Sequence, residues 1–277
     1  MAEAATESMK RPANWWGEFE LHSGATAEWR IATLDVTVSR LAHEILVSNC
    51  QVETAEDASE WDFMFLDQEF EAGDLSQVSR FAFQDAPERL LVLPALADRP
   101  VVSRPYSPMN VLPGELVTIY VGTPLWFTLA AGGPAVTFFE VPILRLSDTW
   151  FGPSTMEGET CYSSRTYARL NSENLPLEAE WATTEIQVHN NSADPLPINR
   201  LKLPVPYLSL YSTPDGRLWT EDVSMVRAAG ESKAHFSIEE DPATLPENAV
   251  HVAGPRRQAP KSMLISAFST LKLPKLG

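Results

Sequence analysis

The sequence predicts an all-β protein on three observations. Short apolar segments with a period near two recur along its length, proline is dense between them, and helical periodicity is scarce. The 22 prolines in 277 residues make about 8% of the chain against an average of about 5%. Proline is tolerated at turns, bulges and sheet edges but not inside central strands. The chain therefore reads as many short strands with punctuated ends.

The elements follow in order. Residues 1–14 form a flexible lead, and Trp15-Trp16-Gly17 opens the ordered part. From Trp29 to Val38 the alternation is clear but slips in phase, with Trp29, Ile31 and Thr33 on one parity, then Leu34, Val36 and Val38. His43 to Val52 repeats the habit, and Phe63 to Leu66, Arg80 to Phe83 and Leu90 to Leu93 are further strand-length pieces. The uncharged run Leu116 to Phe139 is long enough to cross a bilayer. Gly122, Pro124, Gly132, Gly133 and Pro134 divide it, so it reads as three strands joined by turns. Val136 to Leu146, Thr160 to Leu170, Trp181 to His189, Ile198 to Leu203, Tyr207 to Tyr211, Leu218 to Val226 and Ala234 to Ile238 complete the strand pattern. Thr213-Pro214-Asp215-Gly216 is a tight-turn signal between two of them.

Regular short strands predict an antiparallel β-sandwich or barrel. The length suits two tandem β units, 15–145 and 146–253, with the boundary near Leu146. A weak internal echo, Tyr120, Thr123-Pro124 and Leu125-Trp126 against Tyr211, Thr213-Pro214 and Leu218-Trp219, fits a duplicated β domain and equally well chance with shared hairpin grammar. The tail, 254–277, carries the one helical stripe, Met263, Leu264, Ala267, Phe268 and Leu271. Ser262 offers an N-cap and Pro274 a stop, so a short C-terminal helix is expected there.

Charge and processing signals narrow the class. The net charge is −16 and the pI about 4.7, which argues against nucleic-acid binding through counterion release. Two distant cysteines, Cys50 and Cys161, and an N-terminus without an apolar core segment point to a reduced cytoplasmic protein. Asn190-Asn191-Ser192 matches a glycosylation sequon but reads as a polar turn.

Few residues have the spacing that chemistry requires. The five histidines are dispersed, and no Cys-x-x-Cys occurs. No glycine-rich phosphate loop is present, so no cofactor is expected. Asp67 to Asp74 resembles a calcium loop but has Ala72 where the turn needs glycine and Val78 where the last ligand should be. Ser154 lacks a nucleophile-elbow context, and Cys161 could be a nucleophile only by pairing with a distant histidine, as any buried cysteine could.

The richest polar stretch runs from Leu146 to Arg169. It places Asp148, Trp150, Glu157, Glu159, Tyr162 and Arg165 among two glycines and a proline. Glu157 and Glu159 have strand spacing, so an extended chain puts both on one face. Paired carboxylates can divide acid and base roles, and Arg165 could clamp a carboxylate or phosphate. A well-capped turn closed by ion pairs accounts for the same residues.

The tail is the second candidate. From Gly254 onward it holds Arg256, Arg257, Lys261, Lys272 and Lys275 and no acid, which leaves the preceding residues at −21. With Leu264, Phe268 and Leu271 on its stripe, it can dock on a protein partner or on an anionic membrane surface. Docking on its own acidic body satisfies the same features.

One resemblance attaches to particular residues. Val141-Pro142, Leu146 through Pro153, Glu157 through Tyr162 and Val205 through Tyr211, with Thr123 through Trp126 upstream, resemble a prokaryotic family, archaeal and bacterial, known as a domain of unknown function. The resemblance is strongest over residues 100–225. It implies no activity, cofactor or catalytic residue, and it marks the Asp148 to Arg165 stretch as the defining feature. The expected function is a non-enzymatic interaction or regulatory module. The alternative is a hydrolase or glycan-binding protein using that stretch.

Overall fold

The computed structural model describes residues 12–52, 61–67, 78–131, 136–152, 156–166, 168–172, 178–228, 234–238, 245–258 and 263–265. They form 23 strands, β1 to β23 in chain order, and a single 3-10 turn at Val205–Tyr207. The fold is all-β and sandwich-like. The chain divides into two compact units, Met1–Leu93 with Phe127–Leu144, and Pro94–Trp126 with Arg145–Gly277.

The first unit holds β1 (Gly17–Glu20), β2 (Thr26–Ile31), β3 (Leu34–Arg40), β4 (Glu44–Gln51), β5 (Trp61–Leu66), β6 (Val78–Ala82), β7 (Arg89–Ala95) as far as Leu93, β11 (Trp126–Ala131) from Phe127 onward and β12 (Val136–Pro142). One sheet runs β5-β2-β3-β4-β6 and the other β1-β7-β11-β12. The phase slip in the Trp29 to Val38 segment is a hairpin. Ile31 faces Leu34 across the two-residue turn Ala32-Thr33, and Ala32 takes a positive φ of 49°. Inward side chains of both sheets meet in an aromatic core. Trp29 on β2 lies 5.0 Å from Phe19 on β1 and 5.7 Å from Phe127 on β11, centroid to centroid. Trp15 stacks on Phe127 at 6.0 Å. Burying one such ring contributes about 2–3 kcal/mol.

The second unit holds β8 (Val101–Pro105), β9 (Met109–Val111), β10 (Leu116–Pro124), β13 (Ser147–Phe151), β14 (Glu159–Thr166), β15 (Trp181–Asn190), β16 (Leu196–Ile198), β17 (Leu201–Leu203), β18 (Leu210–Ser212), β19 (Leu218–Thr220), β20 (Val223–Arg227), β21 (Ala234–Ile238), β22 (Val250–Ala253) and β23 (Met263–Ile265). Its large sheet runs β22-β18-β19-β15-β20-β21-β23, with β10 paired to β15. β15 is its spine. Ala182, Thr184, Ile186, Val188 and Asn190 are buried in strict alternation, and all nine residues of β10 pair with it. Thr184 joins Thr123 and Thr220 through hydroxyl contacts of 2.9 Å each, so buried threonines satisfy one another across three strands.

The Leu116 to Phe139 run does form three strands, β10, β11 and the start of β12. Most pairings are antiparallel, but β14 with β8, β15 with β19 and β15 with β20 are parallel. The expected tail helix is corrected at its start. Met263–Ile265 is a strand, antiparallel to β21, with Ala234 opposite Ile265. A three-residue apolar run fits either period, and the edge of β21 supplies backbone partners that a helix would leave unmet. Lys261, Phe268 and Leu271 lie outside the described residues.

Candidate functional site

The polar stretch forms a hairpin at the edge of a second sheet in the same unit, β13-β14-β8-β17. Its register is Asp148 opposite Tyr162, Trp150 opposite Thr160 and Phe151 opposite Glu159. Two glycines allow the neck to close. A Cβ on Gly152 would overlap the Glu157 carbonyl, and one on Gly158 would stand 2.7 Å from the Phe151 oxygen and 2.8 Å from Trp150 Nε1. The Trp150 indole thus occupies the space that a side chain on Gly158 would need.

Side chains alternate between the two faces of a strand, and directly opposed residues share a face. One face carries Asp148, Trp150 and Tyr162. Arg99, just before β8, stands 3.0 Å from Asp148 Oδ1 and over the Tyr162 ring at 4.0 Å from its centroid. The Tyr162 hydroxyl donates to Asp98 Oδ1 at 3.0 Å, and Trp126 lies 5.3 Å from its ring. Burial raises the Tyr162 phenol above its ordinary range, Asp98 adds to this, and Arg99 opposes it. The phenol is therefore a protonated donor at neutral pH. Trp150 is 44% exposed and Met156, at the hairpin turn, 93% exposed.

The other face carries Glu159, Cys161 and Arg165. Phe151, Cys161 and Val102 form its apolar floor. Lys202 on β17 is buried above this floor, its ammonium 5.6 Å from the Phe151 ring and ion-paired with Glu159. Arg200 donates from Nη2 to the Trp150 carbonyl at 3.0 Å and to Thr149 Oγ1 at 3.4 Å, with its guanidinium 5.1 Å from the Phe151 ring. Residues beside one edge strand, β17, thus reach the other edge strand, β13, across this face. Burial raises the Cys161 thiol to about 11, so it is not a thiolate at neutral pH.

The predicted site residues are therefore only partly gathered. Asp148, Trp150 and Tyr162 come together. Glu159 and Arg165 sit on the opposite face, and Glu157 is exposed in the turn. The carboxylates Asp148 and Glu159 do not face a common point, and each has a basic partner. Sequence reasoning missed Arg99, Asp98, Trp126, Lys202 and Arg200. Asp98 and Arg99 reach the hairpin from just before β8, Arg200 and Lys202 from beside and within β17, and Trp126 from the start of β11, and the parallel β8–β14 pairing leaves no local spacing signal.

The tail candidates resolve in part. Arg256 donates from Nε to the Leu96 carbonyl at 2.5 Å and so is engaged within its own unit. The exposed Arg257 donates its backbone N–H to Pro206 at 2.9 Å. Leu264 lies within β23. The sequon closes β15, with Asn190 and Ser192 buried and Asn191 exposed. Asn190 is fully buried and its amide nitrogen donates to the carbonyls of Val111 and Asp194, each at 2.9 Å, which leaves no site for a glycan. Asp67, at the head of the calcium-like segment, pairs with His22 at 2.7 Å, and 68–77 lie outside the described residues.

No curated protein and no solved structure matches the chain. Residues 15–272 match a family described as a protein of unknown function, DUF432. That span takes in most of both units and the whole Asp148 to Arg165 hairpin, and the chain belongs to this family.

Proposed function

We propose that the chain is a non-catalytic interaction module that docks a partner protein through the exposed face of the β13–β14 hairpin. The separation of the two central carboxylates carries this reading. Asp148 and Glu159 lie on opposite faces, and Glu157 is exposed in the turn outside both strands, so the strand pair holds no two of these carboxylates on one face to divide acid and base roles. What the hairpin presents instead is Trp150 and Met156, two large exposed apolar side chains, beside Asp148 and Arg99. An aromatic anchor rimmed by charge suits a protein interface. We place the module in the cytoplasm, a reading supported by two unpaired cysteines, Cys50 exposed and Cys161 buried.

Glycan binding is the second reading. One observation favours it: Trp150 and Tyr162 share a face with Asp148, an aromatic surface beside a carboxylate. The two readings separate in one experiment. The full chain and its Trp150→Ala/Met156→Ser variant are used to recover partners from native lysate and to probe an oligosaccharide array. The docking reading expects one protein that is lost with the variant. An unchanged protein set contradicts it, and Trp150-dependent oligosaccharide retention favours the second reading.

A further inference from the structure

We propose that Arg104, Arg165 and Arg200 form an oxyanion site for a small ligand bearing a phosphate group. The site lies on the hairpin face opposite Asp148 and Tyr162, and it does not depend on the docking reading.

The placement follows from register. Arg165 on β14 is the direct partner of Arg104 on β8, so both side chains leave the same face of the sheet. β17 pairs with β8 at Leu201 and Ser103, and Arg200 immediately precedes Leu201, on the Arg104 side of that antiparallel pair. Its contacts with Thr149 and Phe151 put the Arg200 side chain on that same face. The charge of Arg104 lowers the proton affinity of Arg200, after the larger effect of burial, so the two are electrostatic neighbours. Arg165 and Arg104 thus stand in one row across adjacent strands, and Arg200, just before β17, is the electrostatic neighbour of Arg104.

Such a row is unfavourable by itself, because like charges directly opposite one another destabilise a sheet. This chain has acids to spare, with 37 against 21 bases. Arg30, Arg80, Arg89, Arg99 and Arg217 each hold an aspartate or glutamate. Arg104, Arg165 and Arg200 hold none among the described residues. Arg200 spends Nη2 on Trp150 and Thr149, while its Nε is buried without a hydrogen-bond partner. Unused guanidinium donors beside two exposed arginines match a tetrahedral oxyanion, which accepts several charge-assisted hydrogen bonds at once.

The test is titration of the full chain with inorganic pyrophosphate at physiological salt, read by calorimetry and thermal shift. The expected result is saturable binding and a raised midpoint. Affinity should fall about tenfold or more in Arg104→Gln/Arg165→Gln. Arg104→Lys/Arg165→Lys, which keeps the charge and loses the fork, should lose most of the affinity as well. Arg30→Gln/Arg89→Gln, in the other unit, should bind as the parent does. Without ligand, the Arg104→Gln/Arg165→Gln midpoint should hold or rise by about 1–2 °C as repulsion is relieved. Absence of saturable binding, equal binding by the glutamine variant, or equally tight citrate binding would overturn the proposal. So would a fall of several degrees in the ligand-free variant, which would make the arginines structural.

Discussion

Asp148 and Glu159 occupy opposite faces of one antiparallel strand pair, Asp148 against Arg99 and Glu159 against Lys202. The arrangement follows from parity. Asp148 opposes Tyr162, and Glu159 is three residues before Tyr162, so the pleat turns it to the other side. A hairpin one residue shorter in either arm would have brought the carboxylates together.

The Glu159–Lys202 pair should behave as a buried cation with one partner. The Lys202 side chain is 7% exposed and that of Glu159 46%. Glu159→Gln leaves the ammonium uncompensated and should cost about 1–3 kcal/mol, less than a fully buried pair because Glu159 is half in water. Lys202→Met puts an apolar chain of similar length over Phe151 and Cys161 and should stay within about 1 kcal/mol of the parent. Urea midpoints decide the matter, and a Lys202→Met loss larger than the Glu159→Gln loss contradicts this account.

Gly158→Ala should damage the hairpin and the docking face together. The added methyl meets the Trp150 indole and the Phe151 carbonyl oxygen at less than 3 Å. Overpacking of this kind costs about 1–3 kcal/mol. Trp150 fluorescence should shift as the ring leaves its seat. An unshifted spectrum, measured with the other seven tryptophans replaced by phenylalanine wherever folding allows, would show that the glycine is not what seats it.

Glu180 should make stability fall with rising pH. Its Oε2 is buried without a hydrogen-bond partner, and burial, with a smaller push from Glu178, raises the carboxyl from 4.5 to about 7. Below the unfolded value both states are protonated and nothing is lost. Between about 4.5 and 7 the folded state holds a proton that the unfolded state has released, so stability declines as pH rises. Glu180→Gln should match the parent at pH 4 and exceed it by about 1–3 kcal/mol at pH 8. Equal stabilities at pH 8 would refute the assignment.

Ala32→Gly should stabilise the β2–β3 hairpin. Ala32 holds a positive φ of 49°, which costs an L-residue with a Cβ about 1 kcal/mol. A thermal midpoint below that of the parent would contradict this.

The all-β class was legible because burial on one face leaves a period-two trace, clearest along β15. The division of Leu116 to Phe139 into three strands was legible from its glycines and prolines. Hairpin register was not, since it depends on where the turn closes. The counter-charges Arg99 and Lys202 were invisible for the same reason that parallel pairing is, because their partners are about 40 to 50 residues away. The segment Met263–Ile265 misled because so short a run serves either period, and the waiting edge of β21 decides it.

The most direct test of the central claim is site-specific photocross-linking in cells. A photoreactive residue replaces Trp150 on the exposed hairpin face, and the same residue at Arg30 in the first unit serves as the control. The account predicts one discrete protein adduct from position 150 and none of that mass from position 30. No adduct at position 150, or the same adducts from both positions, would contradict a docking role for the hairpin.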